Sequence, residues 1–212
     1  MIFDHSASDL VLLVNWKRVV VTSAVGSQLN GMFLVTEEHD DYSALCEFTN
    51  NQFERRFSSR LELFHPLILS YWSNNEIQAV VGFRAARDFP LFLEQYLDEP
   101  AEVVLDIDRQ LIVEIGGFAA LNRVAALPLM RQAAGSLQQL GFTTAVCTAN
   151  RPIRSCLTKL GIEFIDIGIA NPELVAESSA SWGSYYKSAP KVIAGDIARG
   201  VATMNRLLGA SN

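Results

Sequence analysis

Short apolar runs alternate along this chain with longer stretches in which apolar residues return every three or four positions. The first pattern predicts strands and the second predicts helices with one buried face. Residues 10–14, 18–25 and 32–36 read as strands, the third following the turn residues Asn30 and Gly31. Glu37 to Asp41 forms an acidic loop, after which Leu45, Phe48, Phe53, Phe57 and Leu61 stripe a helix predicted over residues 42–63. The apolar runs 66–72 and 77–83 flank Ser73-Asn74-Asn75-Glu76 and predict a hairpin. Residues 90–98 predict one or two helical turns, 103–107 an extended segment or short strand, and 111–115 a strand ending at Gly116-Gly117.

A helix over residues 126–140 follows from the stripe Ala126, Met130, Ala133, Ala134, Leu137 and Leu140, with Gly141 as its C-terminal cap and Pro128 in its first turn. Residues 143–148 and 163–169 read as strands around a helix at 151–160. Ile193, Ile197, Val201, Met204 and Leu208 predict a last amphipathic helix over residues 192–208. The order hairpin, strand, helix, strand, helix, strand predicts a mixed α/β fold with a crossover unit at its centre. No repeat or linker divides residues 1–212, so one domain is expected. Its parts are N-terminal strands and a helix (1–62), a core (63–170), and a C-terminal aromatic segment and helix (171–212).

Composition narrows the function. Half of the 212 residues are hydrophobic, 19% are charged and the net charge is −6. Disorder is excluded, and broad binding to a nucleic-acid backbone is disfavoured for want of excess Lys and Arg. Mean hydropathy is +0.19, slightly high, yet no apolar run approaches the ~18–20 residues that span a bilayer. Residues 10–14 lack a basic flank and a clear cleavage site, so no secretory signal is expected. Cys46, Cys147 and Cys156 have no metal-type spacing, and His5, His39 and His65 are scattered. The expectation is a cytoplasmic protein with reduced thiols and no metal site.

Glu114 lies in Leu111-Ile112-Val113-Glu114-Ile115-Gly116-Gly117, on the same strand face as Ile112 and Gly116. A carboxylate in so apolar a strand is either a general base with a raised pKa or half of a structural ion pair, with Arg84 as the candidate partner. Arg84 ends the run Ala79-Val80-Val81-Gly82-Phe83-Arg84 and would orient Glu114, bind an acidic group or reach solvent. Glu94 and Tyr96, in the apolar segment Leu91 to Leu97, belong to a lid over a greasy substrate or to a turn capping the core. Gly116 and Gly117, followed by Phe118 and Ala119, permit a bulge whose free N–H groups could hold an oxyanion or a pyrophosphate. Trp182-Gly183-Ser184-Tyr185-Tyr186 would wall a pocket or plug the core.

Two resemblances sharpen these readings. From Leu63 to Ile169, the strand, helix, strand and helix order, with Asn150 after the strand and Lys159-Leu160-Gly161 at the helix end, resembles the GNAT acyltransferase superfamily. From about Phe48 onward, Gly82-Phe83-Arg84-Ala85-Ala86, Leu91 to Leu97, Val113-Glu114-Ile115-Gly116 and Trp182 to Tyr186 resemble the thermostable haemolysin family, whose fold is similar to GNAT enzymes and acyl-homoserine lactone synthases. Arg84 and Glu114 fall where lactone synthases carry an Arg and a Glu, but the Ser-Arg-Phe that follows there is Ile115-Gly116-Gly117-Phe118 here. The glycine-bearing pyrophosphate loop is replaced by Ala120-Leu121-Asn122-Arg123-Val124-Ala125-Ala126.

The resemblance implies a GNAT-like N-acyltransferase taking an acyl chain from acyl-CoA or an acyl carrier protein to a small-molecule amine. Glu114, Arg84 and Glu94 would be catalytic. Gly116, Gly117, Phe118, Ala119, Arg123 and Asn150 would hold the donor, and Trp72, Phe92, Tyr96, Trp182, Tyr185 and Tyr186 would line the acyl or acceptor pocket. Two alternatives are a non-catalytic, membrane-active haemolysin-like protein making peripheral membrane contact, and an autoinducer synthase using S-adenosylmethionine.

Overall fold

A computed structural model describes residues 30–62, 64–175 and 182–209. The strands expected at residues 10–14 and 18–25 lie outside the described residues. Seven strands form one sheet in the order β1-β2-β3-β4-β5-β7-β6. They are β1 (Gly31–Thr36), β2 (Leu67–Ser73), β3 (Glu76–Ala85), β4 (Ile112–Ala120), β5 (Thr144–Ala149), β6 (Ile165–Ile169) and β7 (Lys191–Asp196). All neighbours run antiparallel except β4 and β5, which the helical crossover makes parallel.

The helices are α1 (Tyr42–Phe57), α2 (Ala101–Leu105), α3 (Arg123–Gln139), α4 (Arg151–Lys159) and α5 (Ile197–Gly209). Period-two alternation divides the core between the two sheet faces. Val81, Phe83, Ala85 and Val113 pack with Leu129, Ala133 and Leu137 of α3 and Ile197 of α5. On the opposite face, Phe33, Val35, Ile68, Val80 and Ala119 meet Leu45 of α1. Beside them, Ile112, Val146, Val192 and Ala194 meet Leu91, Leu93 and Tyr96.

The structure revises several predicted elements. α1 stops at Phe57, six residues before the predicted end, because Ser58 adopts the left-handed conformation (φ 51°) and closes the helix on the Glu54 carbonyl. Residues 103–107 are not a strand: Pro100 opens α2, and Asp106 ends it at φ 53°. β4 does not end at Gly116-Gly117 but runs through them to Ala120. α3 begins at Arg123, so Pro128 lies in its second turn, where its missing N–H leaves the Val124 carbonyl without its helical partner.

Ile193 belongs to β7, not to the last helix. Its segment is apolar on both sides because β7 is wedged between β5 and β6. The amphipathic period begins only with α5.

Candidate functional site

The parallel ladder between β4 and β5 holds only Ile112↔Thr144, Val113↔Ala145 and Glu114↔Val146. Beyond Glu114, β4 stays on β3 as far as Ala120, and β5 stays on β7 as far as Ala149. The two central strands therefore part directly after a buried carboxylate. Opposite the parting, β4 carries a bulge: Gly82 pairs with Gly116 and Val80 with Ala119, so β4 has one residue more than β3 between these pairs. Gly117 sits inside the bulge at φ 57°, a left-handed conformation that costs glycine little. The extra residue reverses the alternation, which is why both Gly116 and Ala119 lie on the α1 side.

Glu114 is 3% exposed. Its Oε2 accepts the Phe92 N–H and its Oε1 the Leu93 N–H, each at 2.9 Å. These are two of the donors that the first turn of a helix leaves without internal partners. The carboxylate thus clamps the 3₁₀ turn Phe92–Tyr96 over the central strand. Burial raises its pKa, opposed by the Phe92 bond, the Arg84 charge and the Leu93 bond.

Arg84 faces Glu114 across the ladder, but no direct ion pair joins them among the described residues. Its Nη2 instead donates to the Phe64 carbonyl at 3.0 Å. Glu94 belongs to a separate clasp. It accepts from Leu91 N (3.0 Å), Ala101 N (3.1 Å) and both terminal nitrogens of Arg109 (2.6 and 3.1 Å). Arg109 also reaches Glu102 at 2.5 Å. Partial burial pushes the Glu94 pKa up, but the Arg109 and backbone bonds outweigh it and hold the carboxyl below its ordinary value. With four donors on it, Glu94 has little capacity left for a substrate.

Replacing Arg109 by alanine is expected to cost about 2 kcal/mol, the range for bonds to charged groups, or roughly 4–8 °C in Tm for a chain of this size. Lysine should restore less than half, since it cannot supply the fork. Melting curves of both variants check this, and an unchanged Tm for Arg109→Ala would refute it.

The structure gathers most of the aromatic residues expected to line a pocket. Phe92 packs on Trp182 (5.7 Å between centroids) and edge-on to Tyr96 (5.9 Å). Trp182 meets Tyr185 and Tyr186 at 5.5 and 5.9 Å. The Tyr96 and Tyr186 hydroxyls share a hydrogen bond of 2.7 Å. Tyr185 donates to the Thr148 carbonyl on β5 at 3.1 Å and continues the cluster to Phe53 and Phe57 of α1. Ser184 N–H donates to the Phe57 carbonyl at 2.7 Å, so the end of α1 seats the whole segment. Trp72 stands apart, donating to Ser70 Oγ at 2.9 Å and packing with the α1-side core near the β2–β3 hairpin.

The proposed donor-binding residues are spread around the same end of the sheet. Asn150 accepts the Ile153 N–H at 3.1 Å and caps α4. Arg123 is exposed as the first residue of α3, which Asn122 caps through the Ala125 N–H. Ala119 is buried in the α1-side core, while Phe118 packs against the α3-side core.

One residue of the site was overlooked in the sequence: His65. Its side chain fills the space over the paired glycines Gly82 and Gly116. A Cβ at Gly116 would sit 2.4 Å from its Cε1, and a Cβ at Gly82 2.6 Å from its Cβ. Tyr42 donates to the His65 carbonyl at 2.8 Å, and Arg84 holds the preceding carbonyl. Burial, with the Arg84 charge second, pushes its pKa down to about 3, so the ring is neutral. Its Nε2 is closed to solvent and has no hydrogen-bond partner. The available signal was two glycines, each two residues from Arg84 or Glu114 on the same face, in strands otherwise rich in bulky residues.

Among the described residues, no group of three His, Cys, Asp or Glu side chains is placed to hold a metal ion, and no helix is long and apolar enough to cross a membrane.

The fold is GNAT-like and is shared with solved structures of low sequence identity. TofI, in an apo form, superposes with a TM-score of 0.58 at 13% identity, covering 82% of this chain and 95% of that one. BjaI, a CoA-dependent acyl-homoserine lactone synthase with SAM and isopentyl-CoA, gives 0.57 at 11% identity, covering 84% and 89%. FeeM, an N-acyl amino acid synthase from uncultured soil microbes, gives 0.52 at 14%, covering 78% and 95%. No curated protein sequence matches the chain. The model of the family described as thermostable hemolysin matches residues 35–201, and the chain belongs to that family.

Proposed function

We propose that the chain is an acyltransferase that moves an acyl group from a thioester to a small-molecule amine in the cytoplasm. The observation that carries this reading is the parting of β4 from β5 directly after Glu114, beside a bulge. In the proposed reaction the thioester lies in that gap, and N–H groups near Gly117 and Phe118 polarise its carbonyl. Glu114 still has lone pairs outside its two backbone bonds. It takes the amine proton, directly or through a water, aided by its raised pKa. Arg84 holds the strand leading into the site, and the Phe92–Trp182–Tyr186 cluster receives the acyl chain or acceptor. The thiol leaves as the amide forms.

The neighbours support the donor class: BjaI is CoA-dependent, and FeeM makes N-acyl amino acids. An acyl carrier protein is the other donor considered, and S-adenosylmethionine is the acceptor of a lactone-synthase variant of the reaction. The test is thiol release from C4 to C16 acyl-CoAs and acyl carrier proteins, with and without amino acids or S-adenosylmethionine. Amine-dependent release with a matching amide by mass spectrometry supports the reading; no release from any donor overturns it. The family's haemolysin name favours one other reading, membrane activity without catalysis. Leakage of phospholipid vesicles in the absence of any thioester would support that instead.

A further inference from the structure

The glycine pair and the orphaned nitrogen above it belong together. Gly82 and Gly116 are cross-strand partners, and the His65 ring occupies the space their side chains would take. Three features hold this arrangement: the Arg84–Phe64 bond, the Tyr42–His65 bond and the two glycines. They maintain a ring whose Nε2 is closed to solvent and has no hydrogen-bond partner. An unmade buried bond is unfavourable, and a leucine or methionine would fill the volume without that loss. The ring lies on Gly116, where the bulge begins and where β4 has already left β5. The charged and titratable groups around it are Arg84 on β3, Tyr42 on α1 and Glu114 two residues along β4.

We propose that His65 is a catalytic residue: once the thioester enters the gap and opens the packing over Nε2, the neutral imidazole donates the Nε2–H to its carbonyl oxygen, alongside the backbone N–H groups of the bulge. This rests on the acyltransferase reading. As the amine nitrogen bonds to the carbonyl carbon, the C=O π pair moves onto oxygen, and Nε2–H stabilises the charge there. When the pair returns, the C–S bond breaks and the thiolate leaves. The amine proton passes to Glu114 and from there to the thiolate or solvent. His65 ends the cycle as it began, neutral. A depressed basicity suits a neutral hydrogen-bond donor and would handicap a proton acceptor.

The role separates His65→Gln, whose amide N–H reaches the place of Nε2, from His65→Leu, which keeps the volume and loses the donor. On the thioester that wild type turns over fastest, His65→Leu should lose about 10²–10³-fold in kcat. Its KM should change by no more than about threefold. Glutamine should keep about a tenth of the wild-type kcat, and the wild-type kcat profile should show no limb near pH 6.5. A leucine variant that keeps more than a third of kcat, or a wild-type limb near pH 6.5 that His65→Leu removes, overturns the inference.

A second measurement needs neither turnover nor a stable variant. In wild-type protein with ¹⁵N-labelled histidine, octanoyl-CoA should shift the His65 Nε2 resonance while it stays protonated and neutral. An unmoved resonance under saturating octanoyl-CoA overturns the proposal for His65. Thiol release by wild type in that case leaves the acyltransferase reading standing.

Discussion

Replacing Glu114 by alanine is expected to destabilise the protein by about 2–5 kcal/mol, because two backbone donors, Phe92 and Leu93 N–H, lose their acceptors at about 1–3 kcal/mol each. Relief of the buried charge offsets part of this near neutral pH. Glutamine keeps one acceptor and should fall nearer the low end. Both variants should lose acyl transfer by about 10²–10⁴-fold if Glu114 takes the amine proton. A Glu114→Gln enzyme that transfers at the wild-type rate would leave the carboxylate as a clamp for the 3₁₀ turn and nothing more.

The pH dependence has a definite sign. The folded pKa of Glu114 is raised above its ordinary 4.5. Between 4.5 and its folded value, the native state therefore binds more protons than the unfolded one. The stability this group contributes is complete below that window and is lost as pH rises through it. The deficit of Glu114→Gln relative to wild type should accordingly narrow with rising pH. Urea unfolding of both proteins at pH 4, 6 and 8 measures it.

His65 should make the protein acid-sensitive in the opposite direction. Its pKa falls from 6.5 to about 3 in the folded state, through burial first and the Arg84 charge second. Between those values the unfolded chain binds a proton that the native state refuses. Stability should fall as pH drops through this window, by up to about 1.4 kcal/mol per pH unit. The nearest charge, Arg84, is itself a cation and disfavours a second positive charge on the ring. His65→Gln should flatten the slope between pH 6.5 and 4, and parallel curves for the two proteins would contradict a buried neutral ring.

How much of this was legible in the sequence differs from residue to residue. Glu114 stood out because an ionisable group inside an apolar β-branched run needs a physical reason. The Leu91–Leu97 and Trp182–Tyr186 segments are legible by their apolar and aromatic density, which suits either a pocket wall or a plug of the core. Glu94 lies close by in sequence, but its side-chain partner is Arg109, fifteen residues on, beyond a short helix whose residues 103–107 read by pattern as an extended segment or short strand. Trp72 looked like a pocket residue by type, yet its strand position carries it to the α1-side core.

The chain by itself determined the alternation of strands and helices from β1 to β6 apart from α2, the strong punctuation by Asn, Gly and Pro, the central acid and the family to which it belongs. Those depend on local periodicity and on residue type, and both can be read along one dimension. The tertiary structure alone decided which elements meet. It wedged β7 between β5 and β6, a pairing of strands far apart in the chain that no local period encodes. It ended the β4–β5 ladder at Glu114 and placed a bulge on the β3 side just beyond it, at Gly117. And it laid His65 across two glycines from different strands, turning a histidine with no neighbours of note in sequence into the most constrained polar group of the site.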